Sequence, residues 1–211
     1  MVEGKIITLS GVDGSGKTTL ADRAYRYLSA NGVNATRLQV YSKSTFLNIG
    51  RLIGKISKTS KSVIESKIAL RNKRKNVAIN MLRLLCFLID IIGFRIYAFF
   101  LKQRGVTLVC DRYLYDTLIN LNYLSVVNNI QYERFLKIIP RPEVPIVLCI
   151  DEKTAQEREN EHDDIGYYIE KAMLYSELVE KLGIEKIDTF PPEEEVWHRL
   201  ENILSRTRNK T

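Results

Sequence analysis

Gly11-Val12-Asp13-Gly14-Ser15-Gly16-Lys17-Thr18-Thr19 is the stretch whose reading decides the fold. It fits G-x-x-x-x-G-K-[ST], a loop whose glycines let successive backbone N–H groups converge on phosphate oxygens. The flanks make the match specific. Lys5-Ile6-Ile7-Thr8-Leu9 ahead of it is apolar and β-branched, the composition of a buried strand. Behind it, Lys17 to Ala30 carries Leu20, Ala24, Tyr27 and Leu28 at helical spacing. Strand, glycine loop and helix in that order put a helix N-terminus, with its partial positive charge, where a phosphate would sit. Gly11, Asp13, Gly14, Ser15, Gly16, Lys17, Thr18 and Thr19 are therefore the candidate phosphate-binding residues. Lys17 would reach the β- and γ-phosphates of a nucleotide, and the Thr18 hydroxyl would ligate Mg²⁺.

Outward from the loop, Val106-Thr107-Leu108-Val109-Cys110 reads as a second buried strand that delivers Asp111-Arg112-Tyr113 at its carboxyl end. Open α/β sheets bind ligands at that end. A carboxylate there can organise Mg²⁺ or a substrate hydroxyl, and a guanidinium can hold a phosphate bidentately. A surface ion pair at a strand end is the plainer alternative. Further strands are expected at Thr36 to Tyr41, Ile146 to Ile150 and Lys186 to Asp188. Helices are expected at Tyr115 to Val127, Gln131 to Ile139, Thr154 to Glu161, Tyr167 to Lys181 and Glu193 to Arg206. Pro140, Pro142 and Pro145 punctuate an extended connection. The alternation predicts an α/β fold: a parallel sheet of about five strands with helices on both faces.

The apolar stretch Met81 to Leu101 approaches the length of a membrane span, but Arg83, Asp90 and Arg95 interrupt it. It reads as a buried helix, with a dimer interface as its cover, and no membrane span is expected. The net charge is +7, and Arg51 to Lys75 holds nine Lys/Arg against the single acid Glu65. No aromatic residue interleaves that run, so a solvated helix face is expected and a nucleic-acid partner is not. Cys86, Cys110 and Cys149 are odd in number and form no Cys-x-x-Cys pair. They read as free thiols of a reducing compartment; with no signal peptide visible, a cytoplasmic location is expected. A length of 211 residues suits one domain over 1–211. His162 and His198 form no metal pattern with the cysteines.

Taken together, Gly-Val-Asp-Gly-Ser-Gly-Lys-Thr-Thr at 11–19, Cys110-Asp111-Arg112-Tyr113, Pro142-Glu143 leading into Val147-Leu148-Cys149-Ile150-Asp151, and the Ala155 to Arg158 helix start resemble the thymidylate kinases. The resemblance implies a three-layer nucleoside-monophosphate-kinase fold with a short lid, at about 152–166, and a homodimer. It also implies transfer of the ATP γ-phosphoryl group to dTMP with Mg²⁺. By position, Lys17, Arg112, Asp111 and Arg158 would be catalytic, and Thr18 and Asp111 would be metal ligands. Asp13, Arg112, Tyr113, Thr117, Phe87 and Arg51 would meet the acceptor.

The chain departs from that pattern in several places. Ser10 stands where a Glu usually precedes the first glycine, and Gln39-Val40-Tyr41-Ser42-Lys43 has no counterpart of an Arg-Glu-Pro motif. Lys43 or Arg51 is the candidate replacement for the charge. The family's Phe-x-x-x-Arg falls on Cys86 and Asp90, and a carboxylate there would repel a phosphate. Arg158 is the sole arginine between Asp151 and Lys181, so the lid lacks its usual cluster. Turnover slower than the roughly 1–100 per second typical of kinases is expected. Two alternatives stand beside the reading: a related kinase with another nucleotide, nucleoside or small-molecule acceptor, and an ATP-binding module that contacts nucleic acid.

Overall fold

Three largely buried segments form the centre of one five-stranded parallel sheet, and two shorter, more polar strands form its edges. The computed structural model describes residues 4–40, 77–151, 153–155 and 165–208. The strands are β1 (Ile6–Gly11), β2 (Ala35–Leu38), β3 (Thr107–Asp111), β4 (Val144–Cys149) and β5 (Glu185–Asp188), in the order β2-β3-β1-β4-β5. The helices are α1 (Lys17–Ala30), α2 (Val77–Gln103), α3 (Leu114–Tyr123), α4 (Asn129–Ile138), α5 (Ile165–Leu182) and α6 (Glu193–Arg208).

Side chains alternate across the sheet and build two cores. Ile7, Leu9, Val109, Leu148 and Ile187 pack with Leu20, Ala24 and Leu28 of α1 and Trp197, Leu200 and Leu204 of α6. Ile6, Leu108, Cys110 and Val147 pack on the opposite face with α2, α3, α4 and α5, through Phe87, Phe94, Leu118, Leu136 and Leu178 among others. Strands covered on both faces read as the continuous apolar runs seen in the sequence.

Register places the site. Leu9 pairs with Asp111 and Gly11 with Leu148, so the carboxyl ends of β1, β3 and β4 lie level. The chain builds β2 and β3 on one side of β1 and then crosses to β4 and β5 on the other. That reversal leaves a crevice at the end of β1, where the glycine loop begins.

Element limits differ from the sequence expectation where local chemistry overrides periodicity. β2 stops at Leu38, and the expected Tyr41 lies outside the described residues. The helix expected to reach Val127 ends at Tyr123, because Ser125 turns to φ 53° while Val126 and Val127 fold back into the core. α4 begins at Asn129 behind a reciprocal cap in which Asn128 Oδ1 accepts from Gln131 N and Gln131 Oε1 accepts from Asn128 N. β4 starts at Val144 and includes Pro145, expected in an extended connection. β5 pairs with β4 only from Ile146 onward, so the missing N–H of Pro145 breaks no ladder.

α2 is the largest correction. The sequence reading made it a buried helix with a dimer interface as its cover; within the single chain only the stripe of Cys86, Phe87, Ile91, Phe94 and Ala98 is buried. Met81 is 66%, Ile92 58% and Phe99 58% exposed, and Leu85, Ile89, Ile96 and Phe100 are exposed with them. By length and composition α2 could cross a membrane, and it is the one such helix among the described residues. All three cysteines are free, with Cys86 and Cys110 buried and Cys149 half-buried.

Candidate active site

Gly11 ends β1 at φ 148°, and a Cβ there would lie 2.3 Å from the Leu148 carbonyl oxygen of the neighbouring strand. Gly16 turns the chain into α1 from φ 80°, and that helix begins with no side-chain cap and no acidic residue in its first turn. Its leading N–H groups are therefore left for a ligand rather than consumed by the protein. Thr18 and Thr19 are exposed in this first turn, while Ser15 is buried beneath it.

Lys17 is buried. Its Nζ donates to Val12 O at 2.6 Å and to Ser15 Oγ at 3.4 Å, and lies 3.9 Å from Asp13 Oδ1. Burial, reinforced by the neighbouring charge of Arg112, pulls its pKa down to about 8 against the opposing pull of Asp13.

Asp13 is the meeting point. Arg112 Nη1 lies 2.7 Å from its Oδ1, and Tyr167 OH donates to its Oδ2 at 2.8 Å. Burial alone would raise this carboxyl. Lys171, Arg112 and Lys17 together, with the Tyr167 hydrogen bond, outweigh it and hold Asp13 well below the ordinary carboxylate range. Arg112 makes the reach from a left-handed backbone, φ 67°, anchored by its N–H on Leu9 O at 3.0 Å.

Asp111 is fully buried at the end of β3. Its Oδ2 takes Arg37 Nη2 at 3.0 Å, and Arg37 Nη1 reaches Asp22 Oδ1 at 3.2 Å. Asp111 Oδ1 is buried without a hydrogen-bond partner. A lone carboxylate oxygen of this kind is a donor atom suited to a hard cation.

A second buried carboxylate ties the elements together. Asp116 Oδ2 accepts from Ser10 Oγ and from Tyr113 N, each at 2.7 Å, and its Oδ1 accepts from Tyr175 OH at 2.6 Å and from Gly11 N at 3.4 Å. Asp116 thereby binds the start of the glycine loop, the start of α3 and the middle of α5.

Two expected acceptor residues sit elsewhere. Phe87 is fully buried against Phe135, ring centroids 5.2 Å apart, and belongs to the core. Tyr113 is also fully buried, with its OH donating to Pro140 O at 2.6 Å and its ring against Phe94. Neither shows surface to a ligand. Thr117 is buried on α3, one residue past Asp116. Asp90, on α2, is half-buried. Lys43, Arg51, Arg158, His162 and all but the ends of the expected lid lie outside the described residues, as does the basic stretch Arg51 to Lys75.

Sequence reasoning missed Arg37, Asp116, Tyr167 and Lys171. Asp116 carried a signal: an acid at the third position of a helix commonly closes a capping box. A cavity of about 350 Å³ opens beside the loop, lined by Val12, Ile150, Asp151, Tyr175, Lys186 and Phe190 among others.

The family profile described as "Thymidylate kinase" matches residues 9–196. A curated relative from Methanocaldococcus jannaschii, "Probable thymidylate kinase", is 30% identical over 196 residues, covering 90% of this chain and 89% of the relative. One from Archaeoglobus fulgidus, also "Probable thymidylate kinase", is 22% identical over 211 residues, covering 97% and 96%. With a parallel sheet, a glycine loop ending β1 and Asp111-Arg112 level with it, the chain belongs to the thymidylate kinase family, the nucleoside monophosphate kinases that pass the γ-phosphoryl group of ATP to dTMP.

Proposed function

We propose that donor and acceptor phosphates meet at Asp13, with Lys17 on the donor side and Arg112 on the acceptor side. The observation that carries this is the 2.7 Å contact between Arg112 and the phosphate loop's own Asp13. A guanidinium clasped to a carboxylate can exchange that partner for an incoming phosphate, leaving Asp13 free to accept a hydrogen bond from the acceptor sugar. Lys17 and the amides from Gly11 to Thr19 hold the donor phosphates, and the cavity beside Val12 receives the donor nucleoside. Thr117 lies against the acceptor base. Arg158 and Arg51 keep the roles their sequence positions suggest, in the lid and at the acceptor.

Mg²⁺ fits the residues present. The unpartnered Asp111 Oδ1 and the exposed Thr18 hydroxyl would hold it. Bound there, the ion neutralises charge on the transferring phosphoryl group. The protein's own part is positioning: Lys17 and Arg112 bring two anions together, and Arg37 holds Asp111 in place.

The working unit in this reading is a homodimer of single-domain chains, 1–211, with the lid at about 152–166. Two copies packing the outer stripe of α2 would cover its exposed Met81, Leu85, Ile92 and Phe99. Free cysteines fit a cytoplasmic setting. The test is ADP release coupled to an indicator reaction, with Mg-ATP against a panel of nucleoside monophosphates and nucleosides. A clear preference for dTMP is expected. Faster turnover of another acceptor, or ADP release that no acceptor stimulates, would overturn the reading.

A further inference from the structure

Lys171 has no part in the assignment above, yet it is the most deeply placed cation outside the phosphate loop among the described residues. It is 4% exposed and lies in the inward stripe of α5, between Tyr168 and Tyr175. Its Nζ donates to Asn120 Oδ1 on α3 and lies over two rings, 4.9 Å from the centre of Tyr167 and 6.0 Å from that of Tyr123. It makes no ion pair among the described residues. The carboxylates that act on it, Asp13 and Asp116, form no close ion pair with it and are hydrogen-bonded by other groups, although Asp13 feels the Lys171 charge strongly. Asp13 is held by Arg112 and Tyr167, and Asp116 by four donors.

A desolvated ammonium is costly unless an opposite charge meets it. Among the described residues, Lys17, Arg112 and Lys171 share two carboxylates, so the cations of this cluster outnumber its acids before any substrate arrives. Direction then says which substrate supplies the missing anion. Lys17 approaches Asp13 from the donor loop. Lys171 stands on α5 instead, held by Asn120, which stands one turn beyond Thr117 on α3. Tyr167, whose ring lies beneath the ammonium, holds the second oxygen of Asp13.

We propose that Lys171 is an acceptor-specificity residue: its ammonium, held by Asn120, joins Arg112 in taking the phosphate of the incoming nucleoside monophosphate. The enzyme then requires a phosphorylated acceptor because only that phosphate compensates a charge already buried in the fold. This rests on the reading of Asp13 and Arg112 as the acceptor end of the site.

The test measures binding of dTMP, and of thymidine as its competitor, to the wild-type chain, Lys171→Met, Lys171→Arg and Arg112→Gln. Met matches the length of the Lys stem and removes an unpaired charge, so the fold is kept. Lys171→Met should weaken dTMP about tenfold or more while changing thymidine by less than about twofold, with KM for ATP unmoved. Lys171→Arg should bring dTMP back to within about threefold of wild type; this charge-conserving variant also serves if the Met variant does not fold. Unchanged dTMP affinity in Lys171→Met, or equal weakening of dTMP and thymidine, would overturn the proposal. If Arg112→Gln weakens dTMP and Lys171→Met does not, the role of Lys171 fails alone. If Arg112→Gln also leaves dTMP untouched, the acceptor-end reading fails with it.

Discussion

Arg112 clasps Asp13 at 2.7 Å, Nη1 to Oδ1, from a backbone held in the left-handed region at φ 67°. A non-glycine residue in that region costs of order 1 kcal/mol, and it persists where surrounding contacts over-determine it. Here the Leu9 carbonyl on one side and Asp13 on the other hold it. Arg112→Ala should therefore lose acceptor binding without gaining much stability. We expect kcat/KM for dTMP to fall by about a hundredfold, with KM for ATP nearly unchanged. Steady-state kinetics against each substrate separates the two.

The low pKa of Lys17 makes ATP binding pH-dependent. With the free-enzyme value at about 8 against 10.5 for an ordinary lysine, the ammonium is charged at pH 7 and largely neutral at pH 9. A bound triphosphate restores the charge, so ATP should bind with proton uptake that grows as pH rises through 8. Calorimetry in buffers of different ionisation enthalpy reads that uptake, and Lys17→Met should abolish it. For stability the sign is opposite. The folded-state pKa lies below the unfolded one, so the charged form penalises folding below pH 8, and the penalty is relieved between about 8 and 10.5. Asp13 has the same sign in a lower window: its depressed pKa stabilises the fold above 3.8, and the gain is lost on acidification below it.

Asp116→Asn keeps the shape of the side chain and removes an acceptor atom from a site where four donors converge. Leaving buried donors unmet costs about 1–3 kcal/mol. A fall in Tm of about 3–10 °C is expected for a chain of this size. Trp197, the single tryptophan, is buried on α6 beside α1 and reports the transition by fluorescence.

Two glycines of the loop should respond differently. A methyl at Gly11 would meet a strand carbonyl at 2.3 Å, whereas one at Gly16 finds nothing within 4 Å. Gly16→Ala carries only the backbone penalty of its positive φ, of order 1–2 kcal/mol. Gly11→Ala must also part β1 from β4, and should yield little soluble protein. Expression yield and thermal melts of the two variants check the contrast.

If α2 joins two copies, a charge in its outer stripe will separate them. Ile92→Glu and Ile96→Glu alter exposed positions, so the monomer's own core is untouched. Sedimentation should show a dimer for the wild type and a monomer for the double variant. The wild-type Tm should rise with protein concentration, and that of the variant should not.

Much of the fold was legible because it is local. β1, the loop and α1 follow one another in the chain, and each element's period confirms the next. β3 with Asp111 and Arg112 could be read for the same reason. What could not be read depends on distance along the chain. Tyr167 meets Asp13 across 154 positions and Tyr175 meets Asp116 across 59. No pattern of spacing announces either contact. Lys171 left a trace: a charged residue at an inward position between Tyr168 and Tyr175. Phe87 misled in the opposite sense, since an aromatic beside a binding motif is as easily a core residue, and Phe135 claims it.

Asp116 has a consequence for how such an enzyme can diverge. One carboxylate holds the first glycine of the donor loop, the cap of the helix that carries Thr117 and Asn120, and the α5 tyrosine one turn past Lys171. Selection for a new acceptor would have to shift α3 or α5, and any such shift pulls on the ATP loop through the same atom pair. The two substrate specificities of this chain are not free to drift independently.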